Sequence, residues 1–289
     1  MRRLTALWAA ALLLAGLASA RAAADQPRLK VVATFSTLSS LVREVGGDRI
    51  DLSTLVPVGA SPEDYQPAPN DIATLHAAQV LFENGGGIEA WLDRTVDNAK
   101  NAGLKIVTLS DGLPHKGDNP HLWMDPVLAK RYVDRIAAAL SAADPPGSDV
   151  YRHNAQRFGK ELDALQHEIA KKIATIPPEH RAMIVFHNAW QYYNDRFGIR
   201  TVGVVELSPG QDPSPKYIAD LVTLAKDNHV RAVFAEPEYS PKLVQSLAES
   251  AGIKTVDDLY DDSIASSGPV HDYPSMLRYD TDVIVRALK

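Results

Sequence analysis

The chain has 289 residues, no cysteine and a formal net charge of −6, from 30 Lys and Arg against 36 Asp and Glu. Without thiols there can be no disulfide, nor the lipid-bearing cysteine of a bacterial lipoprotein. An acidic balance with no basic run argues against nucleic acid as a partner.

Residues 1–24 read as an export signal. Arg2 and Arg3 precede an apolar run over 4–17, and Ala18-Ser19-Ala20 and Ala22-Ala23-Ala24 are two candidate cleavage sites. The run is too short and too rich in small residues to span a membrane. The expected product is a soluble protein, free in a Gram-negative periplasm, of about 265 residues, enough for one large or two ordinary domains.

Short apolar runs then alternate with helical patterns. Strands are predicted over 29–35, 50–56, 80–83 and 105–109, and helices over 37–46, 71–78, 88–100 and 126–142. A loop rich in Pro and small residues separates the second strand from the second helix. Asp125-Pro126 has the form of an N-cap followed by a first-turn proline. From Asp144-Pro145 to Ile176 the strand signal stops. Phe158, Leu162, Leu165, Ile169 and Ile173 recur at helical spacing, which predicts one long helix ended by Pro177-Pro178. The alternation resumes with strands over 182–186, 200–205, 232–235 and 254–256, and helices over 189–197, 215–228, 241–251 and 273–288. The fold class is therefore α/β: two doubly wound lobes, 25–143 and 178–289, joined by a single rigid helix within 144–177.

In open parallel sheets, ligands sit beyond the carboxyl ends of the strands. Four residues able to bind metal fall in such loops: Glu63, His121, His187 and Asp262. Each half supplies two, so a cleft between the halves would collect all four. Plainer readings exist for each. Glu63 and Asp64 suit solvated loop charges, His187 a helix cap, and Asp261 or Asp262 a turn. Gly85-Gly86-Gly87 lacks the spacing and the lysine of a phosphate loop and reads as a tight turn. The other seven histidines, at 76, 115, 153, 167, 180, 229 and 271, read as structural or solvated.

Four stretches carry a resemblance: Pro62-Glu63-Asp64-Tyr65-Gln66-Pro67, Asn119-Pro120-His121-Leu122-Trp123-Met124-Asp125-Pro126, Phe186-His187-Asn188-Ala189-Trp190, and Asp261-Asp262-Ser263 followed by Tyr273-Pro274-Ser275-Met276-Leu277-Arg278-Tyr279. Across its mature length the chain resembles the solute-binding proteins of bacterial ABC importers for zinc, manganese and iron. The resemblance implies a divalent transition metal held between two lobes by His121, His187 and Asp262, and delivered to a membrane permease by a monomeric, non-enzymatic protein. Glu63 departs from the family, which usually has histidine there. Zinc-specific members often carry a long His- and Asp-rich loop before the position of His121, where this chain has only Pro114-His115-Lys116-Gly117-Asp118.

Two alternatives use the same residues differently. A metal-dependent hydrolase would keep His121, His187 and Asp262 as ligands and use Glu63 as general base. A two-lobed binder of an organic or oxyanion solute would want arginines in the site loops, which have none.

Overall fold

Runs of Val, Ile, Leu and Phe form the inner strands of two separate sheets, because only a strand covered on both faces can bury every side chain. The computed structural model describes residues 27–208, 210–265 and 267–289, so the predicted export signal lies outside the described residues. The first sheet contains β1 (Leu29–Ala33), β2 (Ile50–Thr54), β3 (Val80–Glu83) and β4 (Lys105–Thr108), in the order β2-β1-β3-β4. The second contains β5 (Ala182–Val185), β6 (Arg200–Val204), β7 (Ala232–Phe234) and β8 (Lys254–Val256), in the order β6-β5-β7-β8. Every pairing is parallel. Both sheets thus reverse strand order beside their first strand, and all eight strands send their carboxyl ends into loops that can form a site.

Nine helices cover these sheets among the described residues: α1 (Ser36–Gly46), α2 (Pro69–Ala77), α3 (Leu92–Ala99), α4 (Pro126–Ala143), α5 (Ser148–Ile173), α6 (Gln191–Phe197), α7 (Pro215–Asp227), α8 (Lys242–Ala251) and α9 (Tyr273–Leu288). The predicted cap of α4 is present: Asp125 accepts a 2.9 Å hydrogen bond from the Val127 N–H, and Pro126 opens the first turn. Several element boundaries shift by one or two residues from expectation, and two helix starts shift by more. The helix predicted from residue 88 begins only at Leu92. The Glu89 carboxylate turns back to accept the N–H groups of Asn84 (2.7 Å) and Gly85 (3.0 Å), which holds that segment in turns. After Asp144 the chain makes a 3₁₀ turn, Pro145–Gly147, before α5 starts.

The long helix α5 has 26 residues and is about 39 Å long at 1.5 Å per residue. Its stripe of Tyr151, Phe158, Leu162, Leu165, Ile169 and Ile173 is buried throughout. It packs on α1 and α4 of the first half and on α6 and α9 of the second. One continuous hydrophobic cluster runs from β1 through α4 and α5 to α6 and α9. The closing helix α9 also touches α1. Among the described residues no helix is long and apolar enough to cross a membrane.

Candidate metal centre

Each candidate ligand lies in a segment beyond a strand's carboxyl end and is aimed by fixed neighbours. Glu63 lies in the loop after β2. Trp91 Nε1 donates to the Pro62 carbonyl (2.7 Å) and the Glu63 N–H donates to Ser61 Oγ (3.1 Å). Glu63 is thereby turned inward, with only 13% of its side chain exposed, whereas Asp64 faces solvent. His121 sits one residue before the 3₁₀ turn Leu122–Met124 that leads into α4. His187 directly follows Phe186, just past the end of β5. Asp261 and Asp262 lie in the loop beyond β8. That loop belongs to the second half by sequence, yet the first half holds it. Thr37 Oγ1 (3.0 Å) and Trp123 Nε1 (3.1 Å) both donate to the Asp261 carbonyl, and Gly59 N donates to Ser263 Oγ (2.8 Å).

The structure brings ligand atoms of His121, His187 and Asp262 within 4.8 Å of one another and sets Glu63 against His121. His121 Nε2 lies 3.8 Å from Glu63 Oε1 and 3.7 Å from Asp262 Oδ1, and His187 Nε2 lies 4.0 Å from Asp262 Oδ2. The two imidazole centroids are 5.2 Å apart. His121 Nε2, His187 Nε2 and both Asp262 oxygens are buried without a hydrogen-bond partner. Leaving such atoms unpaired is costly unless something else occupies the space between them. Bonds of about 2.0–2.2 Å from one shared cation reach across gaps of this size. A cavity of about 260 Å³ lined by Glu63, Asn119, His121, His187, Glu206 and Leu207 connects these atoms to solvent.

Charge is unevenly spread. Burial, and then the neighbouring His187, hold the His121 pKa well below its ordinary value, which keeps that ring neutral. For His187, burial opposes the charged form but the carboxylates of Asp261, Glu236 and Asp262 outweigh it and push the pKa well up. Burial and the facing Asp261 raise Asp262 well above the carboxylate range, and burial raises Asp261 to about 8. Burial also raises Glu63. Such a site prefers a cation, and without one it retains protons.

A family model described as "Zinc-uptake complex component A periplasmic" matches residues 31–287. The chain belongs to this family. Among its relatives is the manganese-binding lipoprotein MntA of Halalkalibacterium halodurans, 30% identical over 91% of this chain and 90% of that one. The iron-binding protein YfeA of Yersinia pestis is 28% identical, over 90% of this chain and 86% of its own. Among solved structures, a crystal structure of ZnuA superposes with a TM-score of 0.82 at 28% identity, covering 91% of this chain and all (100%) of that one. A Mn-bound periplasmic metal-binding protein from Candidatus Liberibacter asiaticus gives 0.81 at 25% identity, with the same coverage. The family consists of substrate-binding proteins of metal importers and not of enzymes, which removes the hydrolase alternative.

Two further carboxyl groups adjoin His187: Asp261, which also reads as a turn residue, and Glu236, which the sequence reading does not name. Glu236 follows β7, and its Oε2 lies 3.5 Å from His187 Nδ1 while Trp190 Nε1 donates to its Oε1 (3.2 Å). Its place just past a strand's carboxyl end, in Ala235-Glu236-Pro237-Glu238, was the available signal. Asp261 Oδ2 lies 3.8 Å from His187 Nε2, as close as Asp262. The remaining histidines stand apart from the centre. His76 Nδ1 bonds the Ala99 carbonyl (2.9 Å), His180 faces Arg231, and His115, His153, His167, His229 and His271 are exposed.

Proposed function

We propose that this protein captures a divalent transition metal, manganese, iron or zinc, outside the cytoplasm and hands it to the membrane permease of an ABC importer. Glu63, His121, His187 and Asp262 serve as the ligands. The supporting observation is that three stretches far apart in the sequence set buried, unpartnered atoms of His121, His187 and Asp262 against one another, with Asp262 3.7 Å from His121 and 4.0 Å from His187. Four carboxylates around the cleft, Glu63, Glu236, Asp261 and Asp262, repel an anionic solute, which weighs against the organic or oxyanion reading. Two imidazoles and two carboxylates suit Mn and Fe(II) by hardness, while the Irving–Williams order makes Zn a tight competitor in vitro.

The division of labour in this reading follows the chain. Residues 25–143 form one lobe, 144–177 the link and 178–289 the other lobe, and the protein works as a monomer. Some of its relatives are named as lipoproteins, whereas the sequence here has no cysteine. The protein is accordingly proposed to be free in the periplasm after cleavage of residues 1–24, which fractionation of the native host would check.

Metal titration of Glu63→Gln beside Asp64→Asn tests the ligand set. A loss confined to Glu63→Gln is expected. A loss confined to Asp64→Asn, or seen in neither, would remove Glu63 from the site.

A further inference from the structure

Asn119 stands between the two halves of the centre. Its Oδ1 accepts two hydrogen bonds from His121, one from the backbone N–H and one from ring Nδ1, both at 3.0 Å. Its Nδ2 donates across the cleft to the Asn188 carbonyl at 2.6 Å, next to His187, and to Gln191 Oε1 at 3.3 Å. Its own carbonyl accepts from Tyr192 Oη at 2.9 Å. The side chain is 7% exposed.

Donor and acceptor chemistry leaves one assignment. A backbone N–H can only donate and a backbone carbonyl can only accept, so the amide oxygen must face His121 and the amide nitrogen must face Asn188. An amide oxygen can only accept, so His121 Nδ1 must carry the ring proton. Nε2 is then left with its lone pair, and Nε2 is the buried, unpartnered atom that faces Glu63 and Asp262. The peptide on the other side is gripped as well: Asn84 Nδ2 donates to the Pro120 carbonyl at 2.9 Å. Gly86 lets that turn approach, since a Cβ there would meet Pro120 Cβ at 3.2 Å on a backbone with φ of 67°.

We propose that Asn119 is a positioning residue that selects the metal-binding tautomer of His121 and ties that ring to the loop of His187 in the opposite lobe. One amide thereby couples the ring state of one ligand to the register of the lobe that carries another. This inference rests on His121 being a ligand. Partners that orient ligating histidines cost about 10–100-fold in metal affinity when removed.

The test uses the full mature chain with ¹⁵N-labelled histidine, metal removed, and Zn²⁺ with a competing chelator as the probe. His121→Ala, measured in parallel, identifies the His121 resonances and establishes whether that ring binds at all. In the parent, His121 should show a single Nδ1–H tautomer. Asn119→Ala should mix the tautomers and weaken Zn²⁺ binding by about 10–100-fold. Asn119→Asp keeps the acceptor and loses the donor to Asn188, so it should keep the tautomer and lose less affinity; an Nε2–H ring, or unchanged affinity, in that variant overturns the inference if Asn119→Ala folds poorly. A single Nδ1–H tautomer in Asn119→Ala, or parental affinity in that variant while His121→Ala has lost binding, overturns the inference. Parental affinity in His121→Ala instead overturns the site reading beneath it.

Discussion

The two halves of the centre present histidine in opposite electrostatic settings. In the first half, His121 is held by the neutral amide of Asn119, and burial beside His187 keeps it uncharged. In the second half, His187 is surrounded by Glu236, Asp261 and Asp262, which raise its pKa despite burial. The first half is organised by hydrogen-bond geometry and the second by charge. Ligation does not need both, but together they define a cleft that offers one ready lone pair and an excess of negative charge awaiting a cation.

That contrast gives its largest expected effect in paired alanine variants. His121→Ala and His187→Ala should each lose more than about 100-fold in Mn²⁺ or Zn²⁺ affinity, beyond what an orienting neighbour costs. Their stabilities should differ. Removing His187 leaves three buried carboxylates without their cationic partner, a change that costs about 3–5 kcal/mol. Removing the neutral His121 leaves no such charge, so its metal-free melting temperature should stay near the parent's. Equal destabilisation in thermal unfolding would break the comparison.

Asp262→Asn should separate function from stability on the second side. Metal titration should show loss of tight binding. The metal-free protein, with no carboxyl at 262 left to ionise beside Asp261, should keep a higher melting temperature than the parent as pH rises. A lower melting temperature would mean that Asp262 is satisfied within the fold.

The pH dependence sharpens the same contrast. The carboxyls of Asp261 and Asp262 have folded pKa values above their unfolded ones, Asp261 reaching about 8. Over that window the folded state binds more protons than the unfolded state, so the metal-free protein should lose stability as pH rises from 5 towards 8. His187 acts in the same direction: its folded pKa is raised, so its contribution is full below about pH 6.5 and fades as pH climbs through the folded value. Metal replaces those protons, so affinity and the metal-induced rise in melting temperature should both grow with pH. An affinity flat from pH 7.5 to 5.5 would argue against this site.

Lobe motion should be the smallest effect. The lobes share a hydrophobic cluster and the single helix α5, and hydrogen bonds cross between them on both flanks of the centre, through Asn119 on one and Thr37 and Trp123 on the other. Flexible crossovers that permit hinge closure elsewhere are replaced here by packed structure. Small-angle scattering of metal-free and loaded protein should give nearly equal radii. A large contraction on loading would show that these cross-links open.

Much of this architecture was legible locally. Short apolar runs between helical periods announced β1 to β8, and the stripe from Phe158 to Ile173 announced α5, because burial on both faces or along one stripe is written in residue type and spacing. The rule that parallel sheets bind at their carboxyl ends marked Glu63, His121, His187 and Asp262 as loop residues that could meet in a cleft. Other features depended on contacts between stretches far apart in sequence. Glu89 folding back on Asn84 and Gly85 replaced the predicted start of α3, since a side-chain acceptor for two backbone donors outweighed helical periodicity. The Asp261 carbonyl is held by Thr37 and Trp123 from the other half of the chain. Glu236 became a neighbour of His187, and Asn119 a bridge to Asn188, only when the lobes closed on each other. Residue type and spacing determined the donors and the strand ends that carry them. Which nitrogen faces the cleft, and how many carboxyl groups surround it, was decided by long-range hydrogen bonds and burial, which exist only in the assembled fold.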